Sequence, residues 1–235
     1  VKTYYFVRHG ASLADSGELE FEGINAPASV DDIPLSDLGR EEAARAADFF
    51  HRLGGIDAVF SSPLSRTYDT AEAIAGKLDL PVQLLPEVRE VDVTGIFEFF
   101  KGRSTRESRF SFDPKDMPFL VYRRMLMATG AALFAVWRLA DSIPDTERVD
   151  DVRTRLERGL GILEDAPEEN IVVVCHGYFI MFLASYLIRN NPFELARLDK
   201  AWVPNCSATK VTDRPGGKLR LRYFARDDYE NMLKI

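Results

Sequence analysis

A chain of 235 residues is long enough to bury a full hydrophobic core, in one large domain or two small ones. A formal charge of -7, with 46% hydrophobic and 29% charged residues, fits a soluble globular protein and disfavours general binding to nucleic acid or acidic membranes, which would repel it. Two cysteines, Cys175 and Cys206, make neither a disulfide framework nor a metal site.

In chain order, Tyr4-Tyr5-Phe6-Val7 predicts a short first strand that runs into Arg8-His9-Gly10. No secretory leader is expected from this opening, and the longest uncharged stretch, Met125 to Trp137, falls short of the roughly 18 apolar residues a membrane span needs. The expectation is a soluble, cytoplasmic protein. Residues 11–34, rich in Gly, Pro, Asp and Ser, read as a surface loop. Ser36 is the expected N-cap of a helix striped by Ala43, Ala44, Ala47 and Phe50 and ended by Gly54-Gly55. His51, near its end, suits the helix dipole and reads as structural.

Ile56 to Phe60 predicts a second strand. Ser62 is the expected cap of the next helix, with Pro63 at its first position, running to about Leu78. Pro81 to Leu85 predicts a third strand, 152–164 a helix, 171–175 a buried apolar strand and 178–189 an apolar helix. Cys175 reads as a buried free thiol in that strand. Segments 206–212 and 218–225 flank Arg214-Pro215-Gly216-Gly217 as an antiparallel hairpin. Strands alternating with helices imply an α/β fold, a three-layer α/β/α sandwich on a mainly parallel central sheet, as one domain over residues 1–235.

Residues 97–145 break the alternation. They are rich in Phe, with Tyr122 and Trp137, and carry eight basic against six acidic residues, a local surplus of positive charge on an acidic chain. This stretch is expected to be a helical or loop insert that caps an anionic-ligand site, the alternative being an excursion that only packs on the core. Its aromatics could equally pair two copies, so a dimer is left open.

Ligands bind open parallel sheets at the carboxyl ends of the strands. Three segments end such strands: Arg8-His9-Gly10, Ser61 to Arg66, and His176-Gly177. Two imidazoles and two guanidiniums therefore gather at one edge. Arginine matches phosphate oxygens with a forked pair of donors. A neutral histidine can attack phosphorus. Phosphoryl transfer chiefly needs positioning and charge neutralisation, so such a cradle can work without a metal or cofactor.

Arg8-His9-Gly10, the helix start Pro34-Leu35-Ser36-Asp37-Leu38-Gly39, Ser62-Pro63-Leu64-Ser65-Arg66-Thr67, Arg89-Glu90 and Cys175-His176-Gly177 together resemble the histidine phosphatase superfamily, the phosphoglycerate mutase-like branch 1. The matches fall in the family's order across the chain outside the insert. The resemblance implies His9 as nucleophile, with Arg8, Arg66 and His176 holding the phosphoryl oxygens. It implies Glu90 as general acid and then base, because Gly177 follows His176 where the other branch carries an acidic residue; burial under the insert would raise its pKa as that role asks. Ser12, Gly177 and Tyr178 are the further expected substrate contacts. Asp15, near where members often carry Asn, is expected to point away from phosphate. The implied activity is hydrolysis of small phosphomonoesters through a phosphohistidine, the alternative being phosphoryl transfer of the cofactor-dependent phosphoglycerate mutase type.

Overall fold

The computed structural model describes residues 1–16, 33–93, 146–188, 202–213 and 218–234. The expected cap at 97–145 and the hairpin turn at 214–217 lie outside them. The chain divides into two compact units, one of Val1–Glu90 with Leu156–Ile235 and one of Val91–Arg155.

In the first unit, six strands form one sheet in the order β3-β2-β4-β1-β5-β6. They are β1 (Thr3–Arg8), β2 (Ala58–Ser61), β3 (Val82–Leu84), β4 (Asn170–Cys175), β5 (Ala208–Thr212) and β6 (Arg220–Arg226). β1, β2, β3 and β4 pair in parallel, whereas β5 and β6 add two antiparallel pairings. The sheet is therefore mixed, and the C-terminal hairpin read from the sequence supplies its antiparallel edge.

β1 is buried along its whole length, and β4 from Ile171 to Cys175. Continuous rather than alternating apolar runs are what a sheet covered on both faces requires. On one face, Tyr5, Val7, Val59, Val172 and Val174 pack with Ala43, Ala47 and Phe50 of α2 (Asp37–Leu53) and Ala71 and Ile74 of α3 (Ser65–Leu78). Tyr4, Phe6 and Val173, one residue out of phase, face the other way and are fully buried. The apolar α5 (Gly177–Leu187) covers β1 there. α4 (Val149–Asp165) spans the division between the units, and Leu156, Leu160 and Leu163 on its second half are buried. Two single-turn helices complete the set among the described residues: α1 (Leu13–Ser16) and α6 (Tyr229–Met232). No helix among the described residues is long and apolar enough to cross a membrane.

In the second unit, Arg155 Nε donates to Glu147 Oε1 at 2.8 Å and Nη2 to Oε2 at 2.9 Å. This is a forked pair with both side chains nearly buried, at 10% and 9% exposure. The Glu147 N–H donates to the Asp92 carbonyl at 2.8 Å, tying the two ends of this unit together.

Two local expectations change. Ser36 caps α2 as read, accepting from the Gly39 N–H at 3.1 Å, and Gly54 ends it at φ 69°, in the left-handed region. The N-cap of α3, however, is Leu64, with no side-chain cap bond, and Pro63 lies before the helix. Ser62 fails as a cap because its hydroxyl lies 2.8 Å from His176 Nε2 and its carbonyl accepts from Thr67 Oγ1 at 3.0 Å. Within 11–34, the expected loop contains α1, and Ser12 bridges to Leu35.

Candidate active site

Register alone brings the two histidines together. β1 and β4 run in parallel with Arg8 opposite Cys175, so the next residue on each strand, His9 and His176, emerges at the same edge. Neighbouring strands lie about 4.8 Å apart, and the two imidazole centroids are 5.3 Å apart, tilted by 62°. β2 flanks β4 with Ser61 opposite Val174, which delivers Ser62 beside His176. α3 leaves the end of β2 and carries Arg66 on its first turn.

His9 is 4% exposed. Its Nδ1 lies 2.7 Å from the Gly10 carbonyl, and because a carbonyl oxygen only accepts, Nδ1 carries the proton. Nε2 is left with its lone pair, which accepts from Arg66 Nε at 3.3 Å. Burial, then the Arg8 charge, hold the imidazole well below its ordinary pKa; Asp15 opposes this and Arg66 adds to it. His9 is thus neutral at neutral pH, the form that can act as a nucleophile.

Arg66 Nη2 also lies 3.5 Å from His176 Nδ1. A guanidinium only donates, so the His176 proton sits on Nε2 and goes to Ser62 Oγ at 2.8 Å. Arg66 and His176 are both buried, at 5% and 0% exposure. Glu90 stands after the turn Pro86–Val88, half-buried, and its Oε1 accepts from the Phe179 N–H at 3.1 Å in the first turn of α5. A carboxylate at a helix N-terminus is favourably placed.

The remaining expected contacts are arranged differently from the first four. Gly177 opens α5 and lies against Arg8: a Cβ there would come 3.5 Å from Arg8 Nε. Tyr178 is buried with its ring 5.4 Å from that of Trp202, edge to face. Ser12 gives its hydroxyl proton to Asp15 Oδ2 at 2.7 Å. The structure therefore gathers His9, Arg66 and His176 directly, places Glu90 and Gly177 around them, and commits Ser12 to its neighbour.

Four residues at this edge escaped the sequence reading. Ser62 was assigned to a helix cap, and Asp15 was turned away from the site although it pairs with Arg8 at 2.8 Å. Trp202 and Asn205 belong to the segment leading into β5; the Asn205 side-chain amide donates to the His9 carbonyl at 3.2 Å. The signal for that segment was present in the hairpin. A strand antiparallel to β1 must begin where β1 ends, so residues just before Ala208 fall beside Arg8 and His9.

A family model described as histidine phosphatase superfamily (branch 1) matches residues 4–113 and 126–225. A bifunctional protein of Mycobacterium tuberculosis is 32% identical over 143 residues, covering 60% of this chain but 34% of the relative, so the match spans about a third of that protein. A Cronobacter sakazakii protein named "Probable phosphoglycerate mutase GpmB" is 28% identical over 208 residues, 88% of this chain and 83% of the relative. Among solved structures, a mycobacterial glucosyl-3-phosphoglycerate phosphatase in complex with VO3 superposes with a TM-score of 0.65 at 22% identity, covering 97% of this chain and 100% of that one. That last likeness concerns the fold.

Proposed function

The chain belongs to the histidine phosphatase superfamily, branch 1, a membership that supports a hydrolase of small phosphoesters, and from the geometry of its site we infer that it hydrolyses phosphomonoesters through a phosphohistidine on His9. The observation that carries this reading is the tautomer of His9. With Nδ1–H fixed on Gly10, Nε2 is the unprotonated, nucleophilic atom, and it accepts from the buried Arg66 guanidinium at 3.3 Å.

In the first step, His9 Nε2 forms a bond to phosphorus as the ester P–O bond breaks, and the leaving oxygen takes a proton from Glu90. Arg66 neutralises the charge spreading over the equatorial oxygens, helped by the Arg8 Nε–H, which has no partner among the described residues, while His176 orients Arg66 through Nδ1. His176, tied to Ser62 through Nε2, presents Nδ1 to this pocket. In the second step Glu90 takes a proton from water, the water oxygen attacks phosphorus, and the P–N bond breaks to return neutral His9. The surplus positive charge of residues 97–145 supports a part for them in drawing in anionic substrate.

The test is to trap the intermediate. Brief mixing with a labelled aryl phosphate followed by alkaline denaturation should leave label on the protein that is stable in base and released in acid. No such label, with hydrolysis proceeding, would remove phosphohistidine from the mechanism. The mutase reading is supported by the relative named for that activity. It requires 3- to 2-phosphoglycerate interconversion stimulated by 2,3-bisphosphoglycerate, and absence of that interconversion discards it.

The role of Glu90 has its own signature. Glu90→Gln should lower kcat/KM on alkyl phosphates by about 10²–10⁴-fold, the usual worth of a positioned acid. On p-nitrophenyl phosphate, whose leaving group needs no proton, the loss should be much smaller. An equal loss on both would show that Glu90 does not protonate the leaving oxygen.

A further inference from the structure

Arg8 is held in an unusual way for a phosphate-binding arginine. Its side chain is 7% exposed. Nη1 donates to the Val203 carbonyl at 2.8 Å and Nη2 to Asp15 Oδ1 at 2.8 Å, while the guanidinium lies over Trp202, 5.1 Å from the ring centroid. Its buried Nε has no hydrogen-bond partner among the described residues. Each terminal nitrogen of the guanidinium thus spends one N–H on the protein, and its charge is already paired with Asp15.

Asp15 does two separate things. Its Oδ2 accepts from the Ser12 N–H at 3.0 Å and the Ser12 hydroxyl at 2.7 Å, and the Asp15 N–H donates back to Ser12 Oγ at 3.2 Å. That reciprocal pattern is a capping box on α1 and accounts for one carboxylate oxygen. It does not account for Oδ1, which is directed at Arg8. A carboxylate there brings a full negative charge to the edge where the phosphoryl group would sit. Its proximity to His9 is visible in the effect each has on the other's titration.

The charged and titratable groups facing this corner come from several elements. They are Arg8 and His9 at the end of β1, Asp15 on α1, Arg66 on α3, Glu90 after its turn, and His176, Tyr178 and Cys206 around them. Glu42 of α2 also reaches the loop, accepting from the Ala11 N–H at 2.8 Å. Among these groups, the Arg8 guanidinium is offset by the Asp15 carboxylate it pairs with. A phosphate monoester carries one negative charge below its second ionisation, near pH 6, and two above it. The second charge meets Asp15, with the Arg8 charge already paired to that carboxylate.

We propose that Asp15 is a positioning residue that clamps Arg8 and sets the charge of the pocket, so that the site selects a singly charged phosphoryl group over the doubly charged form. This rests on the reading of the edge as a phosphoryl site. It places the best binding on the acid side of neutrality. The nucleophile survives there, because burial and the flanking arginines keep His9 neutral well into the acid range.

The experiment is calorimetric binding of inorganic phosphate and of sulfate to the wild-type chain and to Asp15→Asn, from pH 5.5 to 8.5. The introduced amide retains one oxygen for the Ser12 cap but releases Arg8. Wild-type affinity for phosphate should fall about tenfold as phosphate takes up its second charge, and sulfate, doubly charged throughout, should bind weakly at every pH. In Asp15→Asn the fall should flatten and sulfate should gain about tenfold. Phosphate affinity that is constant or rises with pH in the wild type overturns the proposal without any variant, even if Asp15→Asn does not fold. Parallel profiles in the two proteins overturn it as well. These readings need no turnover. Failure to form phosphohistidine with the predicted binding profile intact would count against the catalytic mechanism alone.

Discussion

Replacing His9 with alanine should abolish phosphomonoesterase activity, with kcat falling by about six orders of magnitude, the scale on which an enzyme loses rate when its nucleophile is removed. The size follows from what no neighbour can supply. Arg66 is a permanent cation, and the His176 lone pair, on Nδ1, lies against Arg66 Nη2 at 3.5 Å rather than in the position of His9 Nε2, so neither replaces that atom. His9→Asn is the sharper variant. Its side-chain amide can keep the donor to the Gly10 carbonyl, so the loop stays anchored while the attacking atom is gone. Both variants should retain phosphate binding through Arg66, which His176 Nδ1 helps to orient. Activity above a few per cent of wild type in His9→Asn, with the thermal transition unchanged, would mean that another group attacks phosphorus.

The same site bears on acid stability. The His9 imidazole is depressed in the folded chain, so below the unfolded value of about 6.5 the unfolded state binds more protons. Stability contributed by neutral His9 is present above that pH and is lost as pH falls toward the folded value. Asp15 acts in the same direction: burial alone would raise its carboxyl, but Arg8 and then His9 pull it well below the ordinary range. Below about pH 4, where the unfolded carboxyl titrates, acidification should therefore lower the melting temperature of the wild type more steeply than that of Asp15→Asn.

Much of this architecture was legible because local chemistry and tertiary position coincide. β1 and β4 read as strands from apolar runs, and their parallel register then fixes the meeting of His9 with His176. Arg66 was legible because α3 must start where β2 ends. What escaped were partners set by tertiary geometry. Ser62 has every local mark of a helix cap, yet the neighbouring strand brings an imidazole to its hydroxyl. Asp15 looks misplaced beside phosphate until the Arg8 guanidinium is seen against it. Trp202 and Asn205 carry no pattern of their own and reach the site through the antiparallel return of β5.

Gly10→Ala should be strongly destabilising, as should Gly39→Ala, with which it shares one close backbone contact. Gly10 and Gly39 let the loop after β1 lie directly on the first turn of α2. A Cβ on Gly10 would overlap the Gly39 carbonyl oxygen and sit 2.9 Å from its carbon, and one on Gly39 would overlap the Ala11 carbonyl oxygen, 2.8 Å from its carbon. The obstructing atoms are backbone, so no side chain can rotate away. The loop and helix would have to separate, breaking the bonds from Ser36 N–H to Ala11 O at 2.9 Å and from Ala11 N–H to Glu42 at 2.8 Å. Overpacking alone costs about 1–3 kcal/mol, and the lost hydrogen bonds add roughly 1 kcal/mol each. For a chain of this size that predicts a melting temperature lower by about 6–20 °C, together with loss of activity, because His9 Nδ1 is anchored on the Gly10 carbonyl. Gly76→Ala is the matched control. Gly76 is exposed inside α3 with nothing within 4 Å of an added Cβ, so alanine there should stabilise by up to about 1 kcal/mol through helix propensity. Equal melting temperatures for the two variants would show that the loop and helix do not pack backbone to backbone, and the anchoring of the nucleophile would need another explanation.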